Sequence, residues 1–168
     1  MSIDLYVDLT RPVSLRPLLP KAGAVLAEML GLPSIPDLTL HVLENGQREA
    51  VARDELRDES SPLFLISISG EPETVSLNVS GEHVTVIMGA QRNNLEYALG
   101  AAVATALARE LGGVAIGDDW GFFGGEVLAS PEDFLQRLKI TGTGHDYREA
   151  AEQLGSRLKW GDRRNGSA

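Results

Sequence analysis

Asp118 and Asp119 stand next to each other beside Trp120 in the glycine-rich run Gly117–Gly125, and paired carboxylates in a loop are residue types that bind divalent cations or move protons. Their spacing argues against both roles. Adjacent residues seldom converge on one ion without ligands from elsewhere, and the run lacks the alternating acids and terminal glutamate of a calcium loop. Three histidines are the other candidates: His41, His83 and His145. No two have metal-ligand spacing and no HExxH pair occurs, so His41 and His83 read as strand-edge residues. His145, followed by Asp146, is the one histidine placed to act as a base.

Phosphate chemistry finds no support in the glycines. The run Gly117–Gly125 has no lysine followed by serine or threonine, and neither it nor Gly142-Thr143-Gly144 completes a dinucleotide fingerprint. There is no G-x-S-x-G nucleophile elbow. The absence of cysteine removes thiolate nucleophiles, disulfides and cysteine metal sites together, and suits a reducing compartment. The expectation is therefore no catalytic residue, no metal and no cofactor.

The same loop makes better sense as a surface. Trp120, Phe122 and Phe123 offer large contact area, and Asp118 and Asp119 attract cations, a combination suited to a basic protein partner. In the competing reading the glycines simply make turns and the aromatics cover an edge of the core. A second acid-rich segment runs from Glu44 to Glu59, where Glu55, Asp58 and Glu59 either add to a docking surface or form a solvated face.

Charge points the same way. The chain carries 24 acids against 15 bases, a formal −9, which repels phosphate backbones and makes nucleic acid a poor partner. Residues 156–168 hold a net +3, so residues 1–155 carry −12. No apolar run of about 18 residues is present to cross a bilayer. The start of the chain, Met1 to Asp8, carries two acids where a secretory signal has a basic region, and the cytoplasm is the expected location.

The elements that would position these residues follow from periodicity. Ile3, Leu5, Val7 and Leu9 alternate with polar neighbours as a strand. A helix is expected from Pro20, as its first residue, to Leu30, closed by Gly31 and Pro33. Leu38, Leu40 and Val42 form a second strand that ends at the turn Asn45-Gly46. Gln47–Ser61 reads as a solvated loop or a short exposed helix. Leu63–Ile68, Val75–Val79 and Val84–Met88 make an antiparallel meander, the last two joined at Ser80-Gly81-Glu82.

Asn93 and Glu96 mark the start of an alanine-rich helix, Leu95–Leu111, whose Gly100 lets its axis lie close to a sheet; Gly112-Gly113 ends it. A short strand at Val114–Ile116 leads into the acidic loop. Ser130-Pro131 opens a further helix, Tyr147–Leu158 a last one, and 161–168 form a frayed tail. The prediction is one α+β domain over residues 1–160: a mainly antiparallel sheet of four to six strands with helices packed on one face.

The helix Leu95–Leu111, its exit Gly112-Gly113-Val114, the short strand and the Asp118-Asp119 loop with its aromatics resemble immunity proteins of bacterial polymorphic-toxin systems. With the strands Leu63–Met88 and the helix after Ser130, the resemblance covers roughly residues 60–140. It implies a non-enzymatic inhibitor, monomeric or homodimeric, that binds a cognate toxin and plugs its active site. The acids and aromatics of Asp118–Phe123, with Glu55, Asp58 and Glu59, would supply the contacts, and charge reversal at Asp118 and Asp119 is expected to weaken binding and leave the fold intact. Two other classes stay open: a small hydrolase or transferase using Asp118, Asp119 or His145, and an assembly or chaperone-like module that binds through an exposed strand edge or apolar helix face.

Overall fold

Period-two alternation is realised along the whole sheet. In the computed structural model, which describes residues 2–91, 93–125, 127–141 and 146–158, strands β1 (Ser2–Asp8), β3 (Leu38–Glu44), β6 (Leu63–Ile68), β7 (Thr74–Ser80) and β8 (His83–Gly89) are the long members. With the short strands β4 (Gln47–Glu49), β9 (Ile116–Gly117) and β10 (Leu128–Ala129) they form an eight-stranded sheet in the order β10-β9-β1-β8-β7-β6-β3-β4. Every pairing is antiparallel. A separate two-stranded ladder joins β2 (Val13–Ser14) to β5 (Glu55–Leu56).

The α+β class holds, but the sheet is wider than the four to six strands expected. The additional members β4 and β10 are three and two residues long, too short to show an alternation, and β4 reads Gln-Arg-Glu with no apolar residue, while the short strand expected at Val114–Ile116 lies at Ile116–Gly117. Likewise Gln47–Ser61 is neither plain loop nor helix: it contains β4 and β5, and Leu56 is wholly buried.

Ile3, Leu5 and Val7 of β1, Val84, Val86 and Met88 of β8, and Val75, Leu77 and Val79 of β7 all point to one buried face. Helix α2 (Asn94–Glu110) crosses that face over β1, β7 and β8. Helices α1 (Leu15–Met29), α3 (Pro131–Leu138) and α4 (Tyr147–Gly155) pack around it, so every residue from Tyr97 to Ala108 is buried. This explains the alanines: small side chains let one helix be surrounded by a sheet and three helices. Gly100 makes the closest approach, because a Cβ there would lie 2.7 Å from Met88 Cγ on β8.

Capping follows the expected residues at α2 and α3, and Asp146, not expected in that role, caps α4. Asn93 accepts from Glu96 N at 3.1 Å, Ser130 from Asp133 N at 3.2 Å, and Asp146 from Glu149 N at 2.9 Å. Glu96 then accepts from Gly89 N at 3.0 Å, fixing the helix entry against the end of β8. Gly112 and Gly113 both take positive φ, and Gly113 N donates to Ala108 O, a Schellman closure. Helix α1 departs from expectation. It begins at Leu15, five residues before Pro20, which lies inside it. Its own Ser14 makes no side-chain cap; Asp54, distant in sequence, accepts from Arg16 N at 2.9 Å and supplies the missing acceptor.

The opposite face of the sheet carries Asp4, Tyr6 and Asp8 of β1, Thr85 and Ile87 of β8, and Ser76 and Asn78 of β7. At its β6 end Leu65 and Ser67 are buried, and Arg48 of β4 reaches over to donate to Thr74 Oγ1 of β7 at 2.8 Å. At the β1 end Asp4, Tyr6, Thr85 and Ile87 are half-buried. Among the described residues no helix is long and apolar enough to cross a membrane. His145, the glycines at 142 and 144, and the tail 161–168 lie outside the described residues.

Candidate functional site at the open sheet edge

The loop after β9 divides its residues between core and surface. Asp118 is 2% exposed, and its carboxylate accepts from Phe122 N at 3.1 Å and Phe123 N at 2.9 Å, closing the turn on itself. Phe122 and Phe123 are buried in an aromatic cluster. Tyr97 meets Phe122 edge-on at 5.0 Å, Phe122 meets Phe123 at 5.1 Å, and Phe123 meets Phe134 of α3 at 5.5 Å. Tyr97 Oη donates to Gly89 O at 2.8 Å and secures the cluster to the end of β8. These placements correct the expectation that Asp118, Phe122 and Phe123 offer contacts to a partner: their side chains are spent on the core, as the competing reading of the loop has it.

Asp119 and Trp120 go the other way. Both are exposed, Trp120 at 67%, and on the neighbouring β10 side Val127 is 53% and Leu128 63% exposed. Of these, Leu128 lines a concavity on the open face of the sheet. Tyr6 of β1 and Asp119 line the same concavity. Burial, then the charges of Asp119 and Asp4, push the Tyr6 phenol above its ordinary value, so it remains a donor at neutral pH.

Register explains the shape between these residues. Leu128 pairs with Gly117, and Gly117 pairs with Tyr6, so the three lie in one row on the open face. Gly117 contributes no side chain and forms the floor of a concavity of about 450 Å³, walled by Tyr6 and Leu128 and bordered by Asp8, His83 and Asp119. A Cβ at Gly117 would sit 3.2 Å from Tyr6 Cδ2. Asp8 and His83 face each other across β1 and β8, Asp8 Oδ1 lying 2.7 Å from His83 Nδ1.

Asp118 N donates to Val127 O at 2.7 Å, which makes that pair a hydrogen-bonded one. The next pair, Gly117 with Leu128, is then of the non-hydrogen-bonded kind, and the main-chain N–H and C=O of Leu128 turn away from β9, to the side of β10 where no strand pairs among the described residues.

The other predicted acids are elsewhere. Glu55 pairs with Arg57 at 2.7 Å, Asp58 accepts from Ser60 N at 2.8 Å, and Glu59 accepts from Gly81 N at 2.6 Å in the β7–β8 turn. The hydrogen bonds to Ser60 lower the Asp58 pKa. All three serve local structure, and the structure does not join them to the 119–120 loop.

A second charged cluster secures α4. Arg148 donates to both oxygens of Glu73, at 2.9 and 3.1 Å, and also to Glu71, which accepts from Tyr147 Oη as well. The hydrogen bond from Tyr147, then that from Arg148, lowers the Glu71 pKa. Burial of Glu73 opposes ionisation, yet hydrogen bonds from Arg148 and Asn93 outweigh it and the carboxyl is held below its ordinary range.

Asp118 turned inward and Asp119 turned outward do not converge on one reacting atom, and among the described residues no three acids or histidines are grouped to hold a metal ion. Strand phase could have signalled Tyr6 and Asp8, which occupy the polar positions of β1. Leu128 and the floor at Gly117 gave no such signal, since two-residue strands show no period. Comparison with known protein families, curated proteins and solved structures finds no match.

Proposed function

We propose that the chain is a protein-binding inhibitor, a cytoplasmic immunity protein whose β10 edge covers a cationic region of a cognate toxin. The observation that carries this reading is at that edge: Leu128, 63% exposed, lines one concavity with Asp119 and Asp8, and Trp120, which follows Asp119 in the chain, is 67% exposed. Apolar anchors surrounded by charge are the usual make-up of the energetic centre of a protein interface. A net charge of −9 adds long-range attraction for a basic partner and speeds encounter. The binding surface is narrower than the loop as a whole, since it uses Asp119 and Trp120 but neither Asp118 nor the two phenylalanines.

The test uses the protein encoded by the adjoining reading frame. Calorimetry should give tight binding to the native chain, loss of that protein's toxic activity in the complex, and a weakening of about tenfold or more for Trp120→Ala and for Leu128→Asp. Full affinity in both variants would take the edge out of the interface, and no binding by the native chain would remove the immunity reading.

A further inference from the structure

Resting on that protein-binding reading, we infer that the concavity floored by Gly117 receives an arginine side chain of the partner. The walls and the border differ in chemistry in the way such a side chain requires. Tyr6 and Leu128 present an aromatic face and an aliphatic side chain on either side of a residue that has no side chain. The methylene stem of an arginine packs between such walls and its planar head lies against the aromatic ring. Asp119 and Asp8 both line the concavity, Asp119 exposed and Asp8 paired with His83 Nδ1 at 2.7 Å.

A guanidinium lying against Tyr6 can reach the exposed Asp119 carboxylate, whose two oxygens accept its paired N–H donors. The main-chain groups of Leu128 at the free edge, next to the slot, suit an extended partner segment, whose alternate side chains project to one face. The slot exists because position 117 is glycine. Its φ lies outside the positive region, so alanine fits the backbone there, while the added Cβ fills the floor at 3.2 Å from Tyr6 Cδ2.

The first measurement titrates the isotope-labelled full chain with N-acetyl-arginine methylamide and follows amide shifts by NMR. Saturable shifts confined to Gly117, Asp119, Leu128 and Tyr6 are expected, with norleucine methylamide giving none and lysine methylamide a weaker response. Gly117→Ala should abolish saturation with the chain still folded and a small fall in melting temperature as Tyr6 shifts, and Asp119→Asn, an exposed change that leaves the floor intact, should weaken it about tenfold. Equal shifts from the norleucine compound, or none from the arginine compound, would overturn the slot. The toxin separates the two proposals: normal affinity for Gly117→Ala refutes the slot and keeps the immunity reading, whereas arginine-amide binding by a chain that binds no toxin refutes that reading and keeps the slot.

Discussion

Asp118 accepts the main-chain N–H of Phe123 at 2.9 Å, and this bond decides the role of the whole loop. It pulls one of two adjacent carboxylates inward and leaves the other, Asp119, at the surface beside Tyr6.

The two acids should therefore separate under substitution. Asp118→Asn keeps the size of the side chain but replaces a charged acceptor of two N–H groups by one carbonyl oxygen and a donor amide. A loss of about 2–3 kcal/mol in urea unfolding is expected. Asp119→Asn should change stability by less than about 0.5 kcal/mol and act on partner binding instead. Charge reversal at both positions should therefore cost stability through Asp118, whose carboxylate accepts from Phe122 N and Phe123 N. Equal stability of the two variants in the same denaturation series would show that the Asp118 bonds carry no weight.

Much of the frame was legible because it rests on local signals. Alternation marked β1, β6, β7 and β8, and the caps Asn93 and Ser130 act where the residue types placed them. What was not legible depends on residues far apart in the chain. The start of α1 is stabilised by Asp54, and the inward turn of Asp118 follows from the packing of Phe122 and Phe123 on Tyr97 and Phe134. The slot at Gly117 needs three strands brought into one row by register.

Acid should loosen α4 first. Glu71 and Glu73 have folded-state pKa values held below the ordinary carboxylate range by their bonds to Tyr147 and Arg148. Groups shifted downward contribute stability above their unfolded value of about 4.3, and lose it as the pH falls through the lower folded value. Unfolding free energy should decline from about pH 5 downward, more steeply in the native protein than in Arg148→Met, which lacks the guanidinium that holds both carboxylates. Hydrogen exchange of the α4 amides, followed from pH 6 to about pH 4, should rise ahead of exchange in α2. Parallel pH profiles for the two proteins would show that the cluster contributes nothing to the linkage.

Close packing of α2 on the sheet leads to a change of sign that measures it. Alanine at a helix interior is favoured over glycine by about 1 kcal/mol, so Gly100→Ala would stabilise an unobstructed helix. Here the added Cβ would meet Met88, whose side-chain atoms are the nearest neighbours and are themselves fully buried. Overpacking of this kind costs about 1–3 kcal/mol, which exceeds the propensity gain, and a net destabilisation of about 1 kcal/mol is expected. Met88→Ala alone should cost about 2–5 kcal/mol through the cavity it opens. In that background the obstruction is gone, and Gly100→Ala should stabilise. The coupling between the two changes, read from a double-mutant cycle in urea, should be about 1–2 kcal/mol; simple additivity would mean that the helix shifts away from β8 to admit the methyl group, and that glycine at 100 does not set its distance from the sheet.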